Sequence, residues 1–334
     1  MQLDRTEIVI RQRTALELFD LSVLVLKQHA GMILLTCAVL GVPLLALDVF
    51  AIHWMMGEEA YLVAEQLPSP EFAMRGRYIS HLILLFVMQF PIISLPVTVY
   101  LGNQIFFEKI SLRSLLIRLA PIAWRSLLVL GVVRLGLVGL FMEYFVERSV
   151  TFDLAMEFWL LFVVSLIGLI LRACYPFAPE IFGLELCKLR TKSKDEITYA
   201  QRSRGLHRQL LSEHFMRFIA AGFFSVLLSL MLLGTVLFFQ GTFLGDWQWN
   251  RWYDFLILPL VIWLVGTYIA VFRFLSYIDT RIRLEGWEIE LRLRAEALRL
   301  MEPNRVNAGT NISDSSETSA ESRLVESSAG KVIS

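Results

Sequence analysis

The sequence predicts an all-α integral membrane protein with about six transmembrane helices and amphipathic cytoplasmic helices lying in the interface. Three observations carry this expectation. The chain has 334 residues, 56% of them hydrophobic and only 19% charged, with a mean hydropathy of +0.59. Its apolar residues gather into six long runs, at roughly 30–52, 79–104, 119–141, 155–177, 216–240 and 254–275. Each matches the roughly 20 residues that a helix needs to cross hydrocarbon, whereas transmembrane strands give runs of about ten alternating residues. The third observation is the distribution of Lys and Arg. Arg5, Arg11, Arg13 and Lys27 precede the first run, Lys109, Arg113 and Arg118 follow the second, and seven basic residues lie between Lys188 and Arg208. The opposite flanks hold only Arg75, Arg77, Arg148 and Arg251. The positive-inside rule then makes both termini cytoplasmic, with the alternation holding at all flanks.

Taken in order, residues 1–28 mix charges with Leu16, Leu18, Phe19, Val23, Leu24 and Leu26, as an amphipathic interfacial helix does. The start carries Asp4 and Glu7, and the first apolar run is too long and too far in for a cleaved signal. The first span contains Pro43 and, near its outer end, Asp48. The second contains Gln89, Pro91 and Pro96, which predict a kink. The connection 105–118 is again amphipathic, and the third span holds Arg125, Arg134 and the small residues Gly131, Gly136 and Gly139. The fourth ends in Leu171-Arg-Ala-Cys-Tyr-Pro-Phe-Ala-Pro-Glu180 and leads into the basic connection 180–215. The fifth span is followed by a Trp-rich loop, Gln240–Trp252, suited to the headgroup boundary.

Residues 29–276 thus form the six-helix domain. Beyond it, 277–302 is dense in charge, with opposite charges four apart at Asp279/Arg283, Arg281/Glu285, Glu288/Arg292 and Glu290/Arg294. From Arg281 to Arg294 the apolar residues also nearly alternate, which is the strand period; the Glu, Leu, Arg and Ala content decides for a cytoplasmic helix, despite Gly286. The polar, Ser-rich 303–334 has the composition of a disordered tail. An amphipathic segment followed by a helical hairpin recurs three times at about 90-residue spacing, an internal repeat that superposition of the hairpins would test.

Tyr277-x-Asp279-x-Arg281-x-Arg283-x-Glu285-Gly286-Trp287-x-x-Glu290-Leu291 resembles the terminal motif of uncharacterised bacterial multi-span proteins, which are similar to the membrane domain attached to some glycerophosphodiester phosphodiesterases. Glu288 stands where that motif commonly has Asp. Arg13–Asp20 and Tyr175-Pro-Phe-Ala-Pro-Glu-Ile181 resemble the same group, so the resemblance spans about 1–300. It implies a membrane-helix fold. Hydrolysis does not carry over, because the soluble catalytic domain is absent from this sequence.

Two classes of function remain open. Arg134 sits near the middle of a span, where an Arg costs about 2.5–3.5 kcal/mol and faces the bundle interior. With Asp48 as partner and Gln89 in the kinked helix, it is either a substrate-contacting site or a structural ion pair. Arg125, Arg172, Arg217 and Arg273 lie nearer span ends and read as snorkelling. Tyr277, Asp279, Arg281, Arg283, Glu285, Gly286 and Glu290 form the candidate cytoplasmic interaction motif, which either docks on the basic connection or holds a protein partner. Lys188–Arg208 is either a site for anionic lipid headgroups or only the topology determinant. Cys37, Cys174 and Cys187 read as small apolar fillers, and the five His residues show no metal spacing. The zero net charge gives no basic surface for nucleic acid, and no nucleophile–base pattern or phosphate-cradling loop is present. The expectation is therefore a protein without enzymatic chemistry, cofactor or metal. It is a scaffold or accessory component of a bacterial inner membrane, or alternatively a transporter or lipid-handling protein using Arg134 and Asp48.

Overall fold

A computed structural model describes residues 13–57, 69–105, 111–145, 159–189 and 197–286. Every element among them is helical, apart from one isolated bridge between Lys188 and Thr198. Five helical stretches are long and apolar enough to cross a membrane, and a sixth, Phe162–Cys174, is shorter.

α1 (Ala15–Ile52) starts at a capping box, with Thr14 Oγ1 accepting from the Glu17 amide and Glu17 accepting from the Thr14 amide. His29 leaves helical geometry (φ −121°, ψ 22°), so Ala15–Gln28 and the apolar run that follows are two helical pieces joined at a kink. The first piece buries Leu18, Phe19, Ser22 and Val25, one helical stripe. α2 (Pro70–Ile93) and α3 (Leu95–Ile105) are the second span; they meet at Ser94, between Pro91 and Pro96, which stays right-handed (φ −83°, ψ −9°) and keeps its amide on the Phe90 carbonyl, so the helix runs on through it.

The third span departs from the expected single helix over 119–141. α4 (Leu112–Ser126) is followed by a π-helical stretch, Leu127–Val133, and the chain then leaves the helix at Arg134 before α5 (Val138–Phe145). The break costs no unpaired donor: the amides of Arg134, Leu135, Gly136 and Leu137 bond the carbonyls of Val129, Val132, Leu130 and Gly131. Leu135 takes the left-handed conformation there (φ 62°). α4 packs on α3 and on the later helix 178–183 through Leu115, Leu119 and Ile122, while Ile117 and Trp124 stay exposed.

The fourth apolar segment is π-helical over Trp159–Val164 and continues as α6 (Ser165–Cys174). The 180–215 connection is structured at both ends. α7 (Ala178–Gly183) is buried throughout Ala178–Phe182, and α8 (Tyr199–His207) opens at a Thr198/Gln201 capping box. α9 (Leu211–Leu244) buries only His214, Arg217, Ala221 and Gly241, so its apolar surface faces outward. α10 (Leu258–Glu285) is buried almost all round, as a central helix of a bundle is. Phe19 of α1 stacks on Phe272 of α10 (4.1 Å) and Phe224 of α9 (5.0 Å), and the Tyr268 hydroxyl donates to the Phe19 carbonyl.

α10 ends at Glu285 because Gly286 turns left-handed (φ 67°), the conformation in which glycine lacks the Cβ penalty. Tyr277–Glu285 are thus the last turns of the final span rather than the start of a separate helix over 277–302. Glu290, the rest of that segment and the tail lie outside the described residues.

Candidate functional site

The second span at Ser94 and the break in the third span at Arg134 bring charged side chains together. Ser94, where α2 meets α3, donates its hydroxyl to the Phe90 carbonyl and accepts from Arg273 Nη2 of α10 at 2.8 Å. Arg273 Nε donates to Glu180 Oε1 at 2.8 Å, and Thr98 Oγ1 donates to the same oxygen at 3.5 Å. The Arg273 guanidinium also lies 5.3 Å from the Phe90 ring. Arg134, at the break in the third span, hydrogen-bonds the Tyr199 side chain of α8 and lies in the field of Glu180 and Arg273.

Arg172 of α6 completes the group. Its Nη1 donates to the Gly168 carbonyl (2.9 Å) and the Met88 sulfur (3.3 Å), and its Nη2 to the Met88 carbonyl; it lies in the field of Arg134 and Arg273. Gly168 makes this approach feasible, since a Cβ there would stand 2.6 Å from Met88 and 2.8 Å from Arg172 Nη1.

Arg134, Arg172 and Arg273 are 6%, 6% and 8% exposed, and Glu180 is fully buried. A guanidinium stays protonated in a protein; among the described residues Glu180 pairs with Arg273 and lies in the field of Arg134, while Arg172 lies in the field of those two arginines. Glu180 Oε2 and Arg172 Nε are buried with no hydrogen-bond partner. Each desolvated ion costs several kcal/mol unless paired, so this centre is short of negative charge.

The candidate residues named from sequence fall into different places. Asp48 is bonded to Gln89, whose Nε2 donates to Asp48 Oδ1 at 2.6 Å, whereas Arg134 is turned to Tyr199 and Glu180. The Arg134–Asp48 pairing is therefore replaced by two clusters. Asp48 and Gln89 are fully buried, as is His81, whose Nδ1 is hydrogen-bonded to Glu143 Oε1 of α5. Asp48 Oδ2, Gln89 Oε1, His81 Nε2 and Glu143 Oε2 have no hydrogen-bond partner. Arg172, Arg217 and Arg273 do not snorkel: each is at most 8% exposed, and only Arg125 of that set lies exposed.

The terminal motif is engaged within the chain. The Tyr277 hydroxyl donates to Glu185 Oε1 (2.6 Å), and Arg202 of α8 donates to both Glu185 oxygens (2.5 and 2.6 Å). Arg281 stands 3.9 Å from the same carboxylate. Asp279 accepts from the Arg13 amide (2.9 Å) and Arg217 Nη2 (2.6 Å), and is ion-paired with Arg283 at 3.0 Å. Glu213 joins Arg217 and Arg283. The motif thus clamps the first helix, the 180–215 connection, α9 and α10. Within Lys188–Arg208, Lys188, Arg204 and Arg208 are exposed, while Ser203, Leu206 and His207 are buried.

His207 Nε2 accepts from the Phe177 amide (3.4 Å), so the proton sits on Nδ1, which donates to the Ser203 carbonyl (2.6 Å). Burial, with His214 and Arg134 nearby, pushes its pKa down to about 3 and keeps it neutral. Among the described residues, no group of three or more His, Cys, Asp or Glu side chains is arranged to hold a metal ion.

Glu180, His81 and Glu143 were not singled out from sequence as site residues, and Arg172 and Arg273 were read there as snorkelling. Glu143 had a usable signal, an acid inside the apolar run Val138–Phe145. Comparison with family models, with curated proteins and with solved structures returned no match to this chain.

Proposed function

We propose that this chain is a membrane-embedded transporter or lipid-handling protein that takes a polar solute or headgroup at the Arg134–Arg172–Arg273 centre. The observation that carries the reading is that the third span is interrupted at Arg134 and that this residue and Ser94 of the second span meet on one buried charged group. Interrupted helices at membrane depth persist where they are buried in protein or line a path, and binding sites of secondary transporters are built from them. A scaffold needs an outward interaction face. Of the expected face, Tyr277 is fully buried and Asp279 is 2% exposed, both bonded internally, which leaves the scaffold reading with less to stand on. In this reading the chain crosses the membrane six times, with Trp159–Cys174 contributing to the fourth crossing. The basic connection then lies on the cytoplasmic side.

The test is purification of the full chain in mild detergent with mass spectrometry of co-purifying lipids, metabolites and proteins. Wild type is compared with Arg134→Gln and with a chain truncated after Gly286. A lipid or metabolite that survives truncation and is lost in R134Q is the expected result. A protein partner lost on truncation, with no small molecule in any preparation, would overturn the reading in favour of a scaffold.

A further inference from the structure

The charge balance of the centre narrows the class of ligand. Among the described residues, Arg134, Arg172 and Arg273 share one carboxylate, Glu180, which leaves an excess of two positive charges in a group where no residue is more than 8% exposed. Among the described residues, Arg273 alone of the three donates to a carboxylate; Arg172 is spent on two carbonyls and a thioether, with its Nε unpartnered, and Arg134 is on a tyrosine. These are weak acceptors for cations that have lost their water. Glu180 in turn holds Arg273 through one oxygen and leaves the other bare.

Resting on the transport or lipid-handling reading, we propose that the ligand is a phosphate-class oxyanion, held by Arg134, Arg172 and Arg273, and that Glu180 is its internal competitor. A phosphate monoester carries a charge of about −1.5 to −2 near neutrality, which matches the excess, and its oxygens suit the fork of an Arg donor. Glu180 stands in for part of that charge while the site is empty. Anion entry draws Arg273 from Glu180, and anion release restores the ion pair. The same chemistry is offered by inorganic phosphate and by a lipid phosphate headgroup.

The experiment follows thermal unfolding of the detergent-solubilised full chain with inorganic phosphate or with short-chain phosphatidic acid. The controls are chloride at equal ionic strength and phosphatidylcholine of the same chain length. Stabilisation by phosphate alone identifies a soluble anion, and stabilisation by phosphatidic acid alone identifies a lipid headgroup; either supports the proposal. Arg172→Gln is expected to weaken the apparent affinity roughly tenfold or more, as loss of a charge-assisted hydrogen bond does. Glu180→Gln is expected to change it in the opposite direction. If R172Q does not fold, wild type against E180Q decides. The proposal is overturned if neither phosphate source stabilises wild type beyond its control, or if E180Q weakens binding as R172Q does, which marks both as merely structural. A neutral or cationic molecule retained through Arg134 would sink the phosphate assignment and leave the transport reading standing; absence of any ligand sinks both.

Discussion

Replacing Asp279 by Ala should destabilise the fold by about 3 kcal/mol. Asp279 is 2% exposed and is the meeting point of the Arg13 amide, Arg217 and Arg283. Removing one partner of a buried ion pair typically costs about 3–5 kcal/mol, because the other charge is left in a dry site. Two features of the site set the value at the lower end. Arg217 keeps Glu213 as a second carboxylate at 2.6 Å. Arg283, with its side chain 25% exposed, adds little, since pairs open to solvent are worth about 1 kcal/mol or less. Asp279→Asn keeps an acceptor for the Arg13 amide and should cost less than Asp279→Ala. In a double-mutant cycle with Arg217→Met, the coupling should reach about 2 kcal/mol, within the range for residues in direct contact. The assay is reversible unfolding in mixed micelles, followed by tryptophan fluorescence. A D279A chain within about 0.5 kcal/mol of wild type would refute the reasoning, because that is the scatter of surface substitutions away from special features.

Three further outcomes are expected. Gln89→Leu should cost about 1–3 kcal/mol by stranding Asp48, whereas Asp48→Leu with Gln89→Leu should recover most of that loss, since removing both partners leaves nothing unsatisfied; equal losses in the single and double variants would exclude a hydrogen-bond origin. His207 is neutral in the folded chain down to about pH 3 but binds a proton near its ordinary value of 6.5 when unfolded. Its contribution to stability is therefore complete above about pH 6.5 and falls by up to about 1.4 kcal/mol per pH unit below it. His207→Phe should flatten that part of the stability profile, and an unchanged slope would contradict the assignment. Gly168→Ala should cost about 1–3 kcal/mol by forcing Met88 and Arg172 apart, and should weaken phosphate binding at the same time; a neutral effect on both would show that α6 does not need the close approach.

Part of the fold was legible where the residue pattern changes. The change at His29 from a mixed, amphipathic stretch to an apolar run follows from the spacing of charged and apolar residues. The break after Val133 was not legible, because Leu127–Val133 is uniformly apolar and its π-turn is settled by what packs against it. Gly286 was visible, and the charged helix was expected to run through it; the left-handed turn outweighs the favourable composition on either side.

The site was half legible. Arg134, Asp48 and Gln89 stand out by their depth in apolar runs, and all three are buried. Their partners do not, since Glu180 and Arg273 are separated by 93 residues and His81 and Glu143 by 62. Depth along a helix places Arg172 and Arg273 near its end, where a long side chain reaches water. The folded connection 180–215 covers that end with α7 and α8, and snorkelling gives way to burial.

The most direct measurement is a cryo-EM map of the full chain in lipid nanodiscs containing phosphatidic acid, with inorganic phosphate added. The expected result is density for an oxyanion within hydrogen-bond distance of Arg134 and Arg172, with Arg273 drawn from Glu180. Side chains in sharp density, with Arg273 still on Glu180 and nothing between the guanidiniums, would contradict the account.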